Sequence, residues 1–381
     1  MSKAWPMVRL GEVLSRTGAS IDADPSREYS EITVRLWGKG VVERGRVSGV
    51  QVHGRRFVAS TGNFIASRID ARNGAMGLVP ESLDGALVTN DFPLFQANKK
   101  RLDLGYLGWL SKTKSFVELC LRASEGTTNR VRLKEDRFLN LEIPLPPLAE
   151  QRRIVARIEA LAAQIEEARR LRKEAVEEAD ALVTSFHMQA AGGRTRKMGD
   201  LFSLCEDSTL IQSTGSYPQV GVRSFGAGLF AKGPVAGTDT SYRNFNRLYS
   251  GAIVLSQVKG WEGAIAVCPS ELEGWFVSPE YRTFRCFPAE ARPGYLAALI
   301  TKEWFWNRLS EATRGVGARR ERTRPEQFLN IEIPMPDVHQ QDNGERIFEQ
   351  LHSMKRLQSE TSAELDALLP AILDRAFKGE L

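Results

Sequence analysis

From Ile154 the apolar positions step by four and by three through Ile158, Leu161, Ile165 and Ala168. The step is lost near Leu171 and resumes through Ala175, Ala179, Leu182 and Phe186. A second stretch, Ile347, Leu351, Met354, Thr361, Leu365, Leu368 and Ile372, follows the same rule. Such spacing lays one narrow apolar seam along a helix, the pattern of coiled-coil packing. Charged residues occupy the other faces: Glu166, Glu167, Arg169 and Arg170 in the first stretch, Lys355 and Arg356 in the second. Each helix would run about 40 residues, roughly 60 Å at 1.5 Å per residue. A lone seam cannot bury itself, so the two are expected to bury each other as an antiparallel pair. A partner helix from another chain is the competing arrangement. Gly344 should weaken its turn by about 1 kcal/mol, and Pro370 should kink or shorten the second helix.

Outside these helices the pattern is shorter, and it occurs twice. FLNLEIPLPPLAEQ from Phe138 returns as FLNIEIPMPDVHQQ from Phe328, an offset of 190 residues. VRLGEVLS (Val8–Ser15) matches RKMGDLFS (Arg196–Ser203) at 188, and GNFIASRIDARNGAMGLVP from Gly62 matches GAIVLSQVKGWEGAIAVCP from Gly251 at 189. The first match reads as an extended lead-in and a short helix. The second reads as a strand, a turn carrying Gly74 or Gly263, and another strand. Offsets that creep only from 188 to 190 mean that the copies share a fold and not just a motif. Pro144, Pro146 and Pro147 disfavour helix before them and can start one after them, so each copy has a hinge leading into its long helix. The expected fold class is α+β. Two compact α/β domains, 1–147 and 192–337, each feed a long helix, 148–191 and 338–381, in a pseudo-twofold arrangement.

Charge follows the same division. Residues 1–137 carry a net +7 and residues 192–327 a net +5, whereas the two helical blocks together carry −7. Two basic blocks suit a polyanion, because neutralised phosphates release counterions; two solvated basic surfaces would look the same by charge. Arginine forks fit phosphates and guanine edges. The loop before the second hinge holds Arg314, Arg319, Arg320, Arg322 and Arg324, and its counterpart holds Arg130, Arg132 and Lys134. Arg35, Lys39, Arg68 and Arg72, with Arg223 and Lys259 in the second copy, are further candidates for DNA contact. Trp37, Phe225 and Trp261, beside glycines, read as core residues.

Little points to catalysis. The Gly38/Gly40 and Gly226/Gly228 pairs lack the following helix and acidic residue of a cofactor loop. There is no P-loop, HExxH, GxSxG or methyltransferase Asn/Asp-Pro-Pro-aromatic motif, and no metal set is expected from four scattered histidines. Cys120, Cys205, Cys268 and Cys286 form no CxxC pair and fit free thiols in a reducing cytoplasm. No apolar run approaches the roughly 18 residues of a membrane span, and the segment after Lys3 does not read as a signal peptide.

The duplicated LEIPLPPLAEQRRIVARIEAL, its counterpart IEIPMPDVHQQ and the final AFKGEL (Ala376–Leu381) resemble the DNA-specificity subunit of type I restriction–modification systems. The resemblance covers essentially the whole chain. It implies two target recognition domains, each reading half of a split site in double-stranded DNA, with the two helices acting as a ruler. It also implies two methyltransferase subunits docked on this scaffold, and restriction/translocase subunits that join to cleave. S-adenosylmethionine, and ATP with Mg2+, would belong to those partners and not to this non-catalytic chain. The second copy departs from the pattern at Asp337, His339 and Gly344. The first helix ends in Phe186-His187-Met188 instead of Phe-x-Gly. A coiled-coil scaffold that binds only protein, or a DNA enzyme with an unrecognised site, remain the alternatives.

Overall fold

The computed structural model describes residues 5–126, 131–313 and 322–381. Its helices are α1 (Leu104–Leu110), α2 (Lys114–Arg122), α3 (Glu135–Leu139), α4 (Leu148–Ala191), α5 (Pro293–Leu299), α6 (Glu303–Thr313), α7 (Pro325–Leu329), α8 (Val338–Glu360) and α9 (Ser362–Phe377). Two compact units result: Met1–Arg170 with Thr361–Leu381, and Leu171–Glu360.

In the first unit, short apolar runs, buried along their whole length in Phe64–Ala66, build a four-stranded sheet in the order Leu14–Thr17, Leu94–Ala97, Phe64–Ala66, Met76–Leu78. A five-stranded sheet lies beside it in sequence, ordered Ser20–Ile21, Arg56–Val58, Leu87–Val88, Glu28–Val34, Val41–Ser48. The lead-in strand Met7–Arg9 pairs antiparallel with Glu142–Pro144, so the chain enters the domain next to where it leaves. Phe138, which opens the repeated motif, is fully buried and stacks on Phe64 and against Phe95, with ring centroids 6.2 and 5.2 Å away. The same core takes in Ile154, Val155 and Ile158 from the start of α4, and Leu373, Ala376 and Phe377 from the end of α9.

The second unit repeats this plan. Its four-stranded sheet runs Phe202–Leu204, Tyr281–Cys286, Ile253–Ser256, Ile265–Val267, and Thr195–Lys197 pairs with Glu332–Pro334. Phe328 packs against Phe284 and Phe202 at 4.8 and 5.5 Å. Here Val183 from the late part of α4 and Phe348 from α8 join the core. Among the described residues the five-stranded sheet has no single counterpart: a three-stranded sheet, the hairpin Val220–Val222 with Leu229–Ala231, and the strand pair Ser216–Tyr217 with Val235–Ala236 that encloses it stand in its place.

Antiparallel helix contacts occur inside each unit. In the first, Arg169 meets Asp366 at 2.7 Å, and Arg153 donates to the Leu381 carbonyl at 2.8 Å. In the second, Asp180 pairs with Lys355 at 2.8 Å, and Phe186 meets Phe348 edge-on at 5.8 Å. Ile154, Ile158 and Ile165 are buried, and Leu161, Phe186, Ile347, Leu351, Met354, Leu365 and Ile372 are half-buried. Leu182 and Leu368 depart from the expected seam: they are 50% and 47% exposed, while Val183 and Leu373 are buried. An α-helix has 3.6 residues per turn, so a strict seven-residue pattern drifts about 20° per heptad. Over the four heptads of α4 from Ile154 to Leu182 that nearly equals one residue, and its buried stripe moves one position along, to Val183.

Two expectations about the second helical block change. It is not one helix: α8 and α9 are divided at Thr361, while α9 continues through Pro370. Gly344 is also not merely a weak point. A Cβ there would lie 2.6 Å from the Tyr295 ring and 2.7 Å from that of Phe186, so the glycine is what lets those rings approach α8.

Candidate nucleic-acid interface

Each unit presents a tight turn held on a second turn. In the first unit, Arg35 N–H donates to the Gly40 carbonyl, closing the turn between the strands Glu28–Val34 and Val41–Ser48. Trp37 N–H then donates to Asn73 O at 2.8 Å and Gly38 N–H to Gly74 O at 3.0 Å. These bonds bring Arg35, Lys39 and Trp37 beside the short helix that carries Arg72. The second unit repeats the geometry. Arg223 N–H donates to Gly228 O, Phe225 N–H to Glu262 O at 2.8 Å, and Gly226 N–H to Gly263 O at 3.0 Å. Arg223 and Phe225 thus sit beside Lys259 and Trp261.

Trp37, Phe225 and Trp261 are not core residues. They are 69%, 64% and 42% exposed. Trp37 and Phe225 have φ of 62° and 59°, and among the described residues they are the two non-glycine positions with positive φ. Their backbone, and not their sequence neighbours, sets this outcome: a left-handed turn throws the side chain outward while the flanking glycines fit against the second turn.

A second patch forms where the loop before each hinge crosses the sheet. Leu133 N–H donates to Arg68 O at 2.7 Å, which sets Arg132 and Lys134 next to Arg68. Thr323 N–H donates to Gln257 O at 2.9 Å, which brings Arg322 and Arg324 toward Lys259. Several of these cations are already matched. Arg68 pairs with Glu135, which also holds Arg16 at 3.0 Å. Arg132 pairs with Asp91, Lys259 with Glu262 at 3.5 Å, and Arg322 with Glu280 at 3.5 Å. Arg35, Lys39, Lys134, Arg223 and Arg324 are exposed, with no carboxylate within 4 Å among the described residues. The Arg223 guanidinium lies over the Phe230 ring, 4.8 Å from its centroid, a cation–π contact that leaves its N–H edge for a phosphate. Arg130, Arg314, Arg319 and Arg320 lie outside the described residues.

The repeated motif contains a clasp that residue type alone did not single out. Gln151 and Gln341 are fully buried. Gln151 Oε1 accepts from Asp103 N–H at 2.8 Å, and its Nε2 donates to the carbonyls of Arg101 and Pro146 at 2.9 and 2.8 Å. Gln341 repeats all three bonds, with Arg292 N–H, Glu290 O and Pro336 O, each at 2.9 Å. One amide therefore pins the first turn of each long helix to the proline hinge and to the strand-to-helix loop before it. The signal was the glutamine's identical place after PLAE and DVHQ.

Among the described residues no group of three or more His, Cys, Asp and Glu is placed to hold a metal ion. No helix there is long and apolar enough to cross a membrane. The four cysteines are unpaired, and burial raises the thiol pKa of Cys120, Cys268 and Cys286.

Known proteins supply a frame for this arrangement. The model of the type I restriction modification DNA specificity domain matches residues 2–177. No curated protein matches the chain. The HsdS subunit from Thermoanaerobacter tengcongensis is similar over 99% of this chain and 97% of its own length, at 24% identity and a TM-score of 0.64. A chain from a structure addressing complex assembly and conformational transition of the type I R-M system is similar over 99% and 98%, at 24% identity and a TM-score of 0.68. These two likenesses concern the fold, and they extend through the second unit.

Proposed function

We propose that this chain, which over residues 2–177 matches the model of the type I restriction modification DNA specificity domain, is the non-catalytic subunit that selects the DNA site for a methyltransferase complex. Residues 1–147 and 192–337 each read one half of a bipartite double-stranded site. The helical blocks 148–191 and 338–381 set the distance between the halves and carry two methyltransferase subunits, to which restriction/translocase subunits add. S-adenosylmethionine, and ATP with Mg2+, act in those partners.

The observation that carries this reading is the duplication. Sheet, glutamine clasp and exposed cation-bearing turn occur twice in one chain, and the family match falls on the first copy. One chain can thus mimic a dimer whose half-site spacing follows from its geometry, while unlike domains allow an asymmetric site. Exposed Arg35, Lys39, Lys134, Arg223 and Arg324 supply contacts for phosphates and base edges.

Lengthening α4 by whole turns within residues 161–182 tests this. Methylated bases mapped across the host genome should then show the same half-sites at a changed spacing. An unchanged spacing rules out the ruler. A complex that binds no DNA leaves the protein-only scaffold, and methylation or cutting by the purified chain alone leaves the unrecognised enzyme.

A further inference from the structure

Trp37 and Phe225 combine three properties that seldom coincide. They are large aromatics, they are mostly exposed, and they hold a left-handed backbone that side chains with a Cβ seldom adopt. They occupy equivalent places in two domains of different detail. A strained residue persists only where its surroundings over-determine it, and such residues gather at functional sites.

Here the surroundings are on view. Each turn is bonded through two consecutive N–H groups to the turn of Gly74 or Gly263. A Cβ on Gly38 would lie 3.2 Å from Lys112 Cγ, and one on Gly226 would lie 2.6 Å from the Thr301 backbone. Both turns therefore rest on the link between two helices, α1–α2 in one unit and α5–α6 in the other. In the second unit Trp306 meets the Phe225 ring edge-on at 5.8 Å and is anchored by its own Nε1 bond to Ile300 O. An exposed apolar ring on a rigid mount is poorly explained as core packing, since it buries little. It is well explained as a ring waiting for a flat partner.

The charges next to it indicate that partner. Arg35, Lys39 and Arg72 flank Trp37; Arg223 flanks Phe225, together with Lys259, which is paired with Glu262 at 3.5 Å. Cations around an exposed ring suit a nucleic-acid base, with its π-face inside a phosphate cage. We propose that Trp37 and Phe225 are the base-stacking wedges of their respective domains, each inserting at one base step of its half-site. The inference rests on the DNA-reading function proposed above and adds the contact by which each domain unstacks and fixes its half. Apolar wedges of this kind partly unstack duplex steps elsewhere.

The test uses the full chain with its methyltransferase partner and a duplex of the genome-mapped site carrying 2-aminopurine at successive positions. Binding of the unaltered complex should brighten one position in each half-site. Trp37→Gly should abolish brightening in one half only, Phe225→Gly in the other. Each should raise Kd by about 5- to 150-fold, the range that a lost base–aromatic stack gives. Glycine also relieves the positive φ, so both variants should melt no lower than the parent, which separates stacking from a structural role. Trp37→Phe and Phe225→Trp should keep the brightening. Unaltered Kd and brightening in the glycine variants would overturn the wedges while leaving the DNA-reading function in place, and so would a lowered melting temperature. No binding by the unaltered complex would instead overturn the function on which they rest.

Discussion

The two units solve one packing problem with opposite choices of size. In the first, Ile154 at the start of α4 and Ala376 at the end of α9 are both buried. In the second, the equivalent positions hold Gly344 and Phe186, and the phenylalanine ring fills the space over the glycine. Large-plus-small has become small-plus-large. One pair further on, Phe377 meets the Tyr106 ring edge-on at 5.1 Å in the first unit, and Tyr106 donates its hydroxyl proton to Pro144 O at 2.8 Å. In the second unit His187 takes that place, with Nδ1 2.8 Å from the Tyr295 hydroxyl and its ring stacked on Trp304. The Gln151 and Gln341 clasps, by contrast, have not diverged. A polar group that satisfies three buried backbone atoms has few substitutes, whereas apolar volume can be traded between neighbours.

Breaking the invariant part should have the largest effect. Gln151→Leu leaves the Asp103 N–H and two carbonyls without partners, and Gln341→Leu does the same to Arg292, Glu290 and Pro336. Each unmatched buried group costs about 1–3 kcal/mol, so with three of them either variant should lose at least about 3 kcal/mol. Hydrogen exchange resolved by residue should place the loss in the first unit for Gln151→Leu and in the second for Gln341→Leu. Full protection in either variant would show the clasp to be dispensable.

A smaller, pH-dependent difference comes from His187. Burial, only partly offset by the Pro334 carbonyl, pushes its pKa down to about 4. Between about 4 and the ordinary value near 6.5, the unfolded chain takes up a proton that the folded chain does not. Stability therefore falls as pH drops through that window, by up to about 1.4 kcal/mol per pH unit. His187→Phe, the first unit's choice, should flatten the difference. Tyr295 would then be free to donate to Pro334 O as Tyr106 does to Pro144 O. Denaturant midpoints from pH 7 to pH 4 check this, and identical slopes in parent and variant would refute it.

Much of this was legible in the residues. The offsets of 188 to 190 foretell that the four-stranded sheets share one strand order, because insertions in a sheet would break its register. The hinge-to-helix handover was also visible, since prolines restrict the residue before them. Where geometry is collective, the residues were silent. The stripe's drift from Leu182 to Val183 accumulates over many turns. The outward throw of Trp37 depends on a positive φ fixed by a turn more than 30 residues away, at Asn73 and Gly74. Ion pairs such as Arg68–Glu135 join residues far apart in sequence, so a cation count could not tell matched arginines from free ones.

The size exchange gives the finest test, because two general rules predict opposite signs. By helix propensity, Gly344→Ala should stabilise α8 by about 1 kcal/mol, since glycine loses more backbone freedom than alanine. By packing, the new methyl would press on the Tyr295 and Phe186 rings, and overfilling a dense site costs about 1–3 kcal/mol. A helix gains little from propensity when its neighbour has nowhere to move, and Tyr295 is fully buried. The packing loss should therefore win, leaving a net destabilisation of about 1 kcal/mol. Phe186→Ala removes one of the two rings and recreates the small partner found at Ala376. Against that background Gly344→Ala should cost less or become stabilising, so the double-mutant cycle should show a coupling of at least about 0.5 kcal/mol. Additive effects would mean that the two positions do not share the space, and that the exchange between the copies has no energetic basis.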